Sequence, residues 1–389
     1  MERQIVYADN AATTPLSPIA LEAMLPYLEE IYGNPSTPYS LGRRTKKAIE
    51  TARSDIAQCL GADVHEIFFT SGGSESDNWA LKGAARSMAH QGKTHIITTR
   101  FEHHAVLHTC AALEKEGFSV TYLDVHENGI IRPEEAEAAI RPETGLMSVM
   151  FANNEIGTIQ PIESLGAICH ENGLLFHTDA VQAVGHLPID LRKLNIDMLS
   201  LSAHKFHGPK GVGALFCRDG LELPNLIEGG AQERGHRAGT ENVAGIMGMA
   251  AALKESCGSI EENAAYVLSL REKLRKGLLE IPGCRWNGNA EQRLPGNANI
   301  SFSGVEGESL LLMLDMQGFC VSSGSACTSG AVDPSHVLRA IGLTDTEAKG
   351  SLRISLDREN TSEEVEKLVQ TISETVHKLR SMNPFWKEA

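Results

Sequence analysis

Short apolar runs alternate with amphipathic stretches along most of this chain. Ile67-Phe68-Phe69, 95–98, 120–123, 147–152 and 174–178 read as strands. The first four are followed by helical spacing over 75–90, 103–116, 133–140 and 162–172. Two further strand-like runs, 196–201 and 212–217, flank the turn cluster Gly208-Pro209-Lys210-Gly211. Upstream, residues 15–32 predict a helix with Ser17 as cap, Pro18 at its first position, and Leu21, Met24, Leu25 and Leu28 on one face. A loop at 33–38 leads to a helix from about 43 to 60, with Ile49, Ile56, Ala57 and Leu60 inward. Such alternation predicts an α/β fold with a mostly parallel sheet covered by helices on both faces. Ligands in that architecture sit at the carboxyl ends of the strands, where most of the polar motifs fall.

Past a helical segment near 242–256 the pattern changes. A long helix at about 260–280 precedes a strand at 299–302, helices at 307–317 and 334–341, a strand at 352–356 and a final helix opened by the capping box Thr361-x-x-Glu364. This predicts two units: a large domain over 15–255, and a smaller α+β domain formed by 1–14 and 256–389.

Charge and cysteine usage narrow the classes of function. The net charge of −15 argues against nucleic acid or an anionic membrane as direct partners, and leaves a basic protein partner open. No stretch approaches the roughly 20 apolar residues of a membrane span, and the first residues carry no signal-peptide pattern. Eight cysteines are scattered without a C-x-x-C pair, which reads as reduced thiols in a cytoplasmic protein.

The candidate chemistry centres on Ser202-Ala203-His204-Lys205, at the end of an apolar strand. A lysine held against apolar surroundings loses its proton more readily and forms a Schiff base with a carbonyl compound. Asp179 closes the strand before it. That pair is what pyridoxal phosphate needs: an amine for the aldehyde, and a carboxylate to keep the ring nitrogen protonated. Thr70-Ser71-Gly72-Gly73-Ser74-Glu75 follows a strand and opens a helix, an anion site that Ser202 and His204 complete as a phosphate cup. One of His103 and His104 is placed to stack on a ring and move protons; with His108 they lack the company expected of a zinc site. Asn154, in Asn153-Asn154-Glu155-Ile156-Gly157, and Gln182 are amides for a phenolic oxygen. The polar loop 233–242 is either solvated or reaches a phosphate, in its own protomer or across a subunit boundary. Cys327 stands among small residues in 321–330 with nothing apolar to bury it, as an exposed functional thiol would. Arg353, inside an apolar strand, either pairs structurally or grips a carboxylate with its fork.

Together these stretches resemble the cysteine desulfurases, the NifS/IscS-like branch of the class V aminotransferase fold. The resemblance is carried by Ala8 to Thr14, Gly33-Asn34-Pro35-Ser36, Thr70 to Asn78, Glu102-His103, Asn153 to Gly157, His177 to Gln182, Ser202 to Gly211, Arg237 to Val243, Ser323 to Gly330 and Leu352 to Thr361. Tyr39 stands where many members have histidine, and Ser74 replaces a common threonine but keeps the hydroxyl. The resemblance implies a fold-type-I pyridoxal-phosphate enzyme with a seven-stranded sheet. Lys205 would carry the cofactor, Asp179 pair with its ring nitrogen and His103 stack on the ring. Asn154 and Gln182 would bind the phenolic oxygen. Gly73, Ser74, Ser202 and His204 would hold the phosphate, with Thr240 supplied by the other protomer of a homodimer. Asn34 and Arg353 would hold the carboxylate of L-cysteine. Cys327 would take the sulfur as a persulfide, leaving alanine, and pass it to an iron–sulfur scaffold protein or a tRNA-thiolation enzyme. A selenocysteine lyase or another enzyme of this fold is the nearest alternative. A non-catalytic thiol redox or scaffold protein built on Cys327 is an alternative of a different class.

Overall fold

The computed structural model describes residues 5–323 and 334–386. The first part of the chain runs β1 (Val6–Tyr7), α1 (Pro18–Glu29), α2 (Ser40–Leu60), β2 (Ile67–Thr70), α3 (Gly73–Ala89), β3 (His95–Thr99), α4 (His104–Lys115) and β4 (Ser119–Leu123). It continues through α5 (Pro133–Ala138), β5 (Thr144–Ser148), α6 (Ile162–Glu171), β6 (Leu175–Asp179), β7 (Met198–Ser202), β8 (Gly213–Cys217) and α7 (Val243–Gly258). The remainder is α8 (Ile260–Leu279), β9 (Cys284–Trp286), β10 (Asn297–Phe302), α9 (Gly307–Asp315), β11 (Phe319–Cys320), α10 (His336–Ala340), α11 (Asp345–Lys349), β12 (Ser351–Ser355) and α12 (Ser362–Met382).

Seven strands form the main sheet in the order β2-β8-β7-β6-β5-β3-β4. The pairs from β7 out to β4 are parallel, while β8 runs antiparallel to both neighbours. Apart from the edge strand β4, the strands are buried along nearly their whole length because helices cover both faces, which is why they read as continuous apolar runs. A three-stranded antiparallel sheet, β12-β10-β9, carries a separate core with α8, α9 and α12. Val6 and Ala8 join this second core, whereas Val337, Leu338 and Ile341 of the α10 region pack into the large one.

Most element positions follow the hydrophobic pattern, with instructive departures. The strand read at 147–152 lies earlier, at Thr144–Ser148. Residues 149–152 leave the ladder; Val149 and Phe151 donate N–H groups to His177 and Asp179 of β6. Ser17 caps α1 as expected, its Oγ accepting the Ala20 N–H at 3.2 Å. Yet the apolar row on α1 faces outward in the protomer, with Leu21, Leu25 and Leu28 all exposed. The capping box at α12 forms in both directions, Thr361 N–H to Glu364 and Glu364 N–H to Thr361.

A buried ion pair fixes the 233–242 loop to the sheet. Both Nη atoms of Arg53 on α2 donate to the Glu233 carboxylate, at 2.7 and 2.8 Å, and Nη1 also reaches the Ile67 carbonyl. Glu233 in turn accepts the Phe69 N–H at 2.9 Å, and Arg53 lies over the Phe69 ring. Glu233 and Arg234 hold positive φ values of 46° and 60°, so this anchor sits on strained backbone. Arg53→Met leaves the Glu233 charge buried and uncompensated, and is expected to cost about 3 to 5 kcal/mol, read as a lowered urea midpoint at unchanged slope.

Candidate active site

The carboxyl ends of β6 and β7 bring the principal candidates together. Parallel pairing sets Asp179 opposite Ser200, so the end of β6 and the turn that follows β7 open into one space. A cleft of about 350 Å³ there is lined by Gly73, Ser74, His103, Asn154, Asp179, Gln182, Ser202, His204, Lys205 and Arg353, together with Ala11, Ala12 and Asp77. Lys205 ends a single 3₁₀ turn after β7, and its Nζ donates to the carbonyls of Ala11 and Ala12 at 2.7 and 2.8 Å. The N-terminal arm is therefore part of the site.

One wall is a helix start. The first-turn N–H groups of α3, at Gly73 and Ser74, are without intrahelical partners by helix geometry. Gly72 has φ +150°, and a Cβ on Gly73 would come within 2.5 Å of Val181 Cγ2, so both positions depend on glycine. Thr70 and Ser76 hydroxyls bond at 2.8 Å and stitch the turn from inside. Arg237 fixes it from outside with a two-pronged pair to Glu75, at 2.8 and 3.0 Å. The loop 233–242 thus reaches the phosphate cup indirectly, through a carboxylate in the first turn of α3. His204 is pushed down to about 4 by burial and by the nearby Lys205 and Lys210 charges, and is a neutral imidazole held at Nδ1 by Thr13.

Opposite lies a buried acid cluster. One ligand-type atom from each of Asp77, His103 and Asp179 falls within 4.8 Å of the others. Burial raises both carboxyls above the usual range; Asp179 raises Asp77 further, while His103 eases Asp179. Asp179 accepts the Val181 N–H at 2.9 Å. Such a pair calls for a cationic hydrogen-bond donor, and a protonated ring nitrogen supplies both properties. His103 caps α4, its Nδ1 accepting the Ala105 N–H at 3.2 Å; in the neutral ring this leaves the proton on Nε2. Burial lowers its pKa, which favours that neutral form. The helix start, the acid cluster and the terminal amine fit the phosphate, ring nitrogen and aldehyde of pyridoxal phosphate.

The amides sort cleanly. Asn153 is structural, donating to Phe101 O and accepting the N–H groups of Glu155 and Ile156, while Asn154 lines the cleft. Gln182 spends one amide hydrogen on Ala11 O at 3.0 Å. Arg353 engages Asp9 through Nη2 at 2.7 Å and Asn154 O through Nη1 at 3.0 Å. Its Nε is buried with no hydrogen-bond partner among the described residues. Asn34 does not reach the cleft in this protomer; it is exposed, with Oδ1 turned onto the Ser36 N–H. Thr240 is likewise exposed and away from it. Cys327 lies outside the described residues. On one side of its segment Ser322 pairs with Arg353, and on the other Ser335 donates to Glu155 at 2.5 Å and His336 bonds Glu102 O at 2.9 Å.

Asp77 and Asp9 were not singled out from the sequence. Asp77 lies one turn into α3 among polar residues and looks solvent-facing; only the packing of α3 on the sheet shows it buried. Glu102 is also wholly buried, with Oε1 accepting from Thr99 and from the Met150 N–H, and burial pushes it up to about 8. Its pKa in the folded chain lies above the ordinary 4.5, so folding takes up a proton between those values. Stability of the cofactor-free protein should fall as pH rises through that window, by about 1.4 kcal/mol per pH unit for one such group. Glu102→Gln should flatten the slope by that amount in urea titrations across the window.

Comparison with known proteins agrees with this geometry. The family described as aminotransferase class-V matches residues 6–368. Cysteine desulfurase IscS of Methanosarcina thermophila is 55% identical over 383 residues, covering 98% of this chain and 95% of that protein. The IscS of Clostridium botulinum strain Hall is 52% identical over 386 residues, 98% and 97% of the two chains. A solved NifS-like protein superposes with a TM-score of 0.91 at 41% identity, over 96% of this chain and 100% of that one. With the lysine, the acid cluster and the helix start in one cleft, this chain belongs to the class V aminotransferase family, among its IscS/NifS-like cysteine desulfurases.

Proposed function

We propose that the cleft binds pyridoxal phosphate and converts L-cysteine to L-alanine, with the sulfur delivered to Cys327 as a persulfide. The observation that carries this reading is the convergence of Lys205, Asp179 and the α3 start on one cleft. Gly73, Ser74, Ser202 and His204 would hold the phosphate, and Asn154 and Gln182 the phenolic oxygen. When bound, the cofactor supplies an electron sink for the pair left on the substrate's α-carbon.

The protein's own groups do the rest. Asp179, buried, would pair with the ring nitrogen and hold a proton there. His103, neutral with its proton on Nε2, would stack on the ring and exchange a proton. Lys205 Nζ would hold the aldehyde and, as a free amine, would take the substrate's α-proton. The Ala11 and Ala12 carbonyls that hold Nζ here keep it close to the cleft. Arg353 and Asn34 would hold the substrate carboxylate. Asp9 already occupies one arm of Arg353, so the substrate carboxylate would share the guanidinium charge with it. The Cys327 thiolate attacks the substrate sulfur: an S–S bond forms, the C–S bond breaks, and protonation of the carbon fragment yields alanine.

The outward apolar row of α1 supports a homodimer, since a contiguous exposed apolar face on a large chain marks a covered surface. Thr240 would then complete the partner's phosphate cup. The sulfur would pass to an iron–sulfur scaffold or a tRNA-thiolation enzyme. Among the described residues no helix is long and apolar enough to cross a membrane, and the cysteines are free thiols, in keeping with a cytoplasmic site of action. Borohydride reduction followed by peptide mapping should place the cofactor on Lys205; a label on another residue overturns the assignment. Cys327→Ala should keep the visible absorbance of bound cofactor but lose persulfide formation. Unchanged alanine production by that variant would rule out the role of Cys327.

A further inference from the structure

Two thiols outside the cleft share one groove. Cys59 lies in the last turn of α2 and Cys257 in the last turn of α7, two helices that pack against each other. Both side chains are half-buried and line one open groove with Leu187, Pro188, Ile189 and Lys193. The Cys257 thiol is the largest influence on Cys59 and lowers its pKa, and Lys254 helps against the opposing effects of burial and Asp55. Cys110, Cys169 and Cys217 differ in kind: each is fully buried, and burial pushes its thiol up to about 12. A reactive cysteine needs thiolate character and access together. In this protein Cys59 has both, with a second thiol at hand.

The position of the pair gives it a mechanical meaning. Cys257 is followed by Gly258 and Ser259, the joint at which α7 gives way to α8. Helix α8 sends Val267, Leu270 and Leu274 into the core of the smaller sheet, whereas α2 contributes to the large core. A covalent bond between Cys59 and Cys257 would fasten this joint to the body of the large sheet.

We propose that Cys59 and Cys257 form a reversible dithiol–disulfide site that takes a hydroperoxide as its oxidant. The Cys59 thiolate attacks the peroxide, forming a sulfenic acid at Cys59 and releasing hydroxide, which takes up a proton to become water. Cys257 then attacks that sulfur; the S–S bond forms, and the sulfenic oxygen leaves as a second water. Two thiols lose two electrons in all, and the peroxide gains them. The site is independent of the cleft and uses no residue assigned to it.

The test uses cofactor-loaded protein carrying Cys327→Ala, which keeps the loop thiol from competing for the oxidant. After hydrogen peroxide, iodoacetamide trapping and digestion, the expected product is one cross-linked peptide pair joining Cys59 to Cys257. It should be lighter than the two reduced peptides by two hydrogens and be lost on treatment with dithiothreitol. In the added variant Cys257→Ser, the cross-link should vanish and Cys59 should instead be captured by dimedone as a sulfenic acid. Far-UV circular dichroism checks that this variant folds. Full alkylation of both cysteines after peroxide, or a disulfide joining either of them to a different cysteine, overturns the proposal.

Discussion

The parallel pairing of β6 with β7 is the constraint on which the site depends. It brings two strands to the same edge of the sheet, so that Asp179 and the turn carrying Lys205 open into one space. Parallel strands buried on both faces leave little freedom in register, because a one-residue slip would turn His177 and Asp179 into the wrong layer. His177 shows how tightly that layer is specified. Its two ring nitrogens bond Ser148 of β5 and Ser200 of β7 at 2.8 and 3.0 Å, and burial holds the ring neutral, with its pKa near 3. One neutral imidazole thus spans three adjacent strands directly beneath the acid cluster.

Above this layer the electrostatics divide in two. Acidic groups that burial disfavours as anions, Asp77, Glu102 and Asp179, gather on one side. Helix-start N–H groups and a neutral His204 gather on the other. A ligand that is cationic at one end and anionic at the other relieves both sides together. Such a ligand stabilises the folded state by mass action as well as performing chemistry.

The alternating strands and helices were legible because buried parallel strands leave continuous apolar runs, and the helices between them keep an apolar stripe. The motif residues were legible because glycine, lysine and aspartate at strand ends have few other reasons to be there. What was not legible came from packing between distant segments. The role of residues 8–14 depends on carbonyls at Ala11 and Ala12, and backbone oxygens leave no trace in residue identity. Asp77 looked like an ordinary polar residue of an exposed first turn until α3 was laid on the sheet. The row Leu21, Leu25 and Leu28 was visible as a face, but its outward direction follows from which side of α1 packs on α7. The groove shared by Cys59 and Cys257 brings together positions far apart in the chain, and no spacing rule could have paired them.

The N-terminal arm has a consequence for how the molecule is made. Asn10 donates to the Ser355 carbonyl, Asn360 donates to the Tyr7 carbonyl, and Thr14 donates its N–H to His204. Residues 7 to 10 therefore find their resting place only against residues 355 to 360, far along the chain. Contacts of such long sequence separation form late in folding. The large sheet can assemble during synthesis while its lysine still lacks the carbonyls that seat it. The cleft is thus closed by a final docking event, after both cores have been completed.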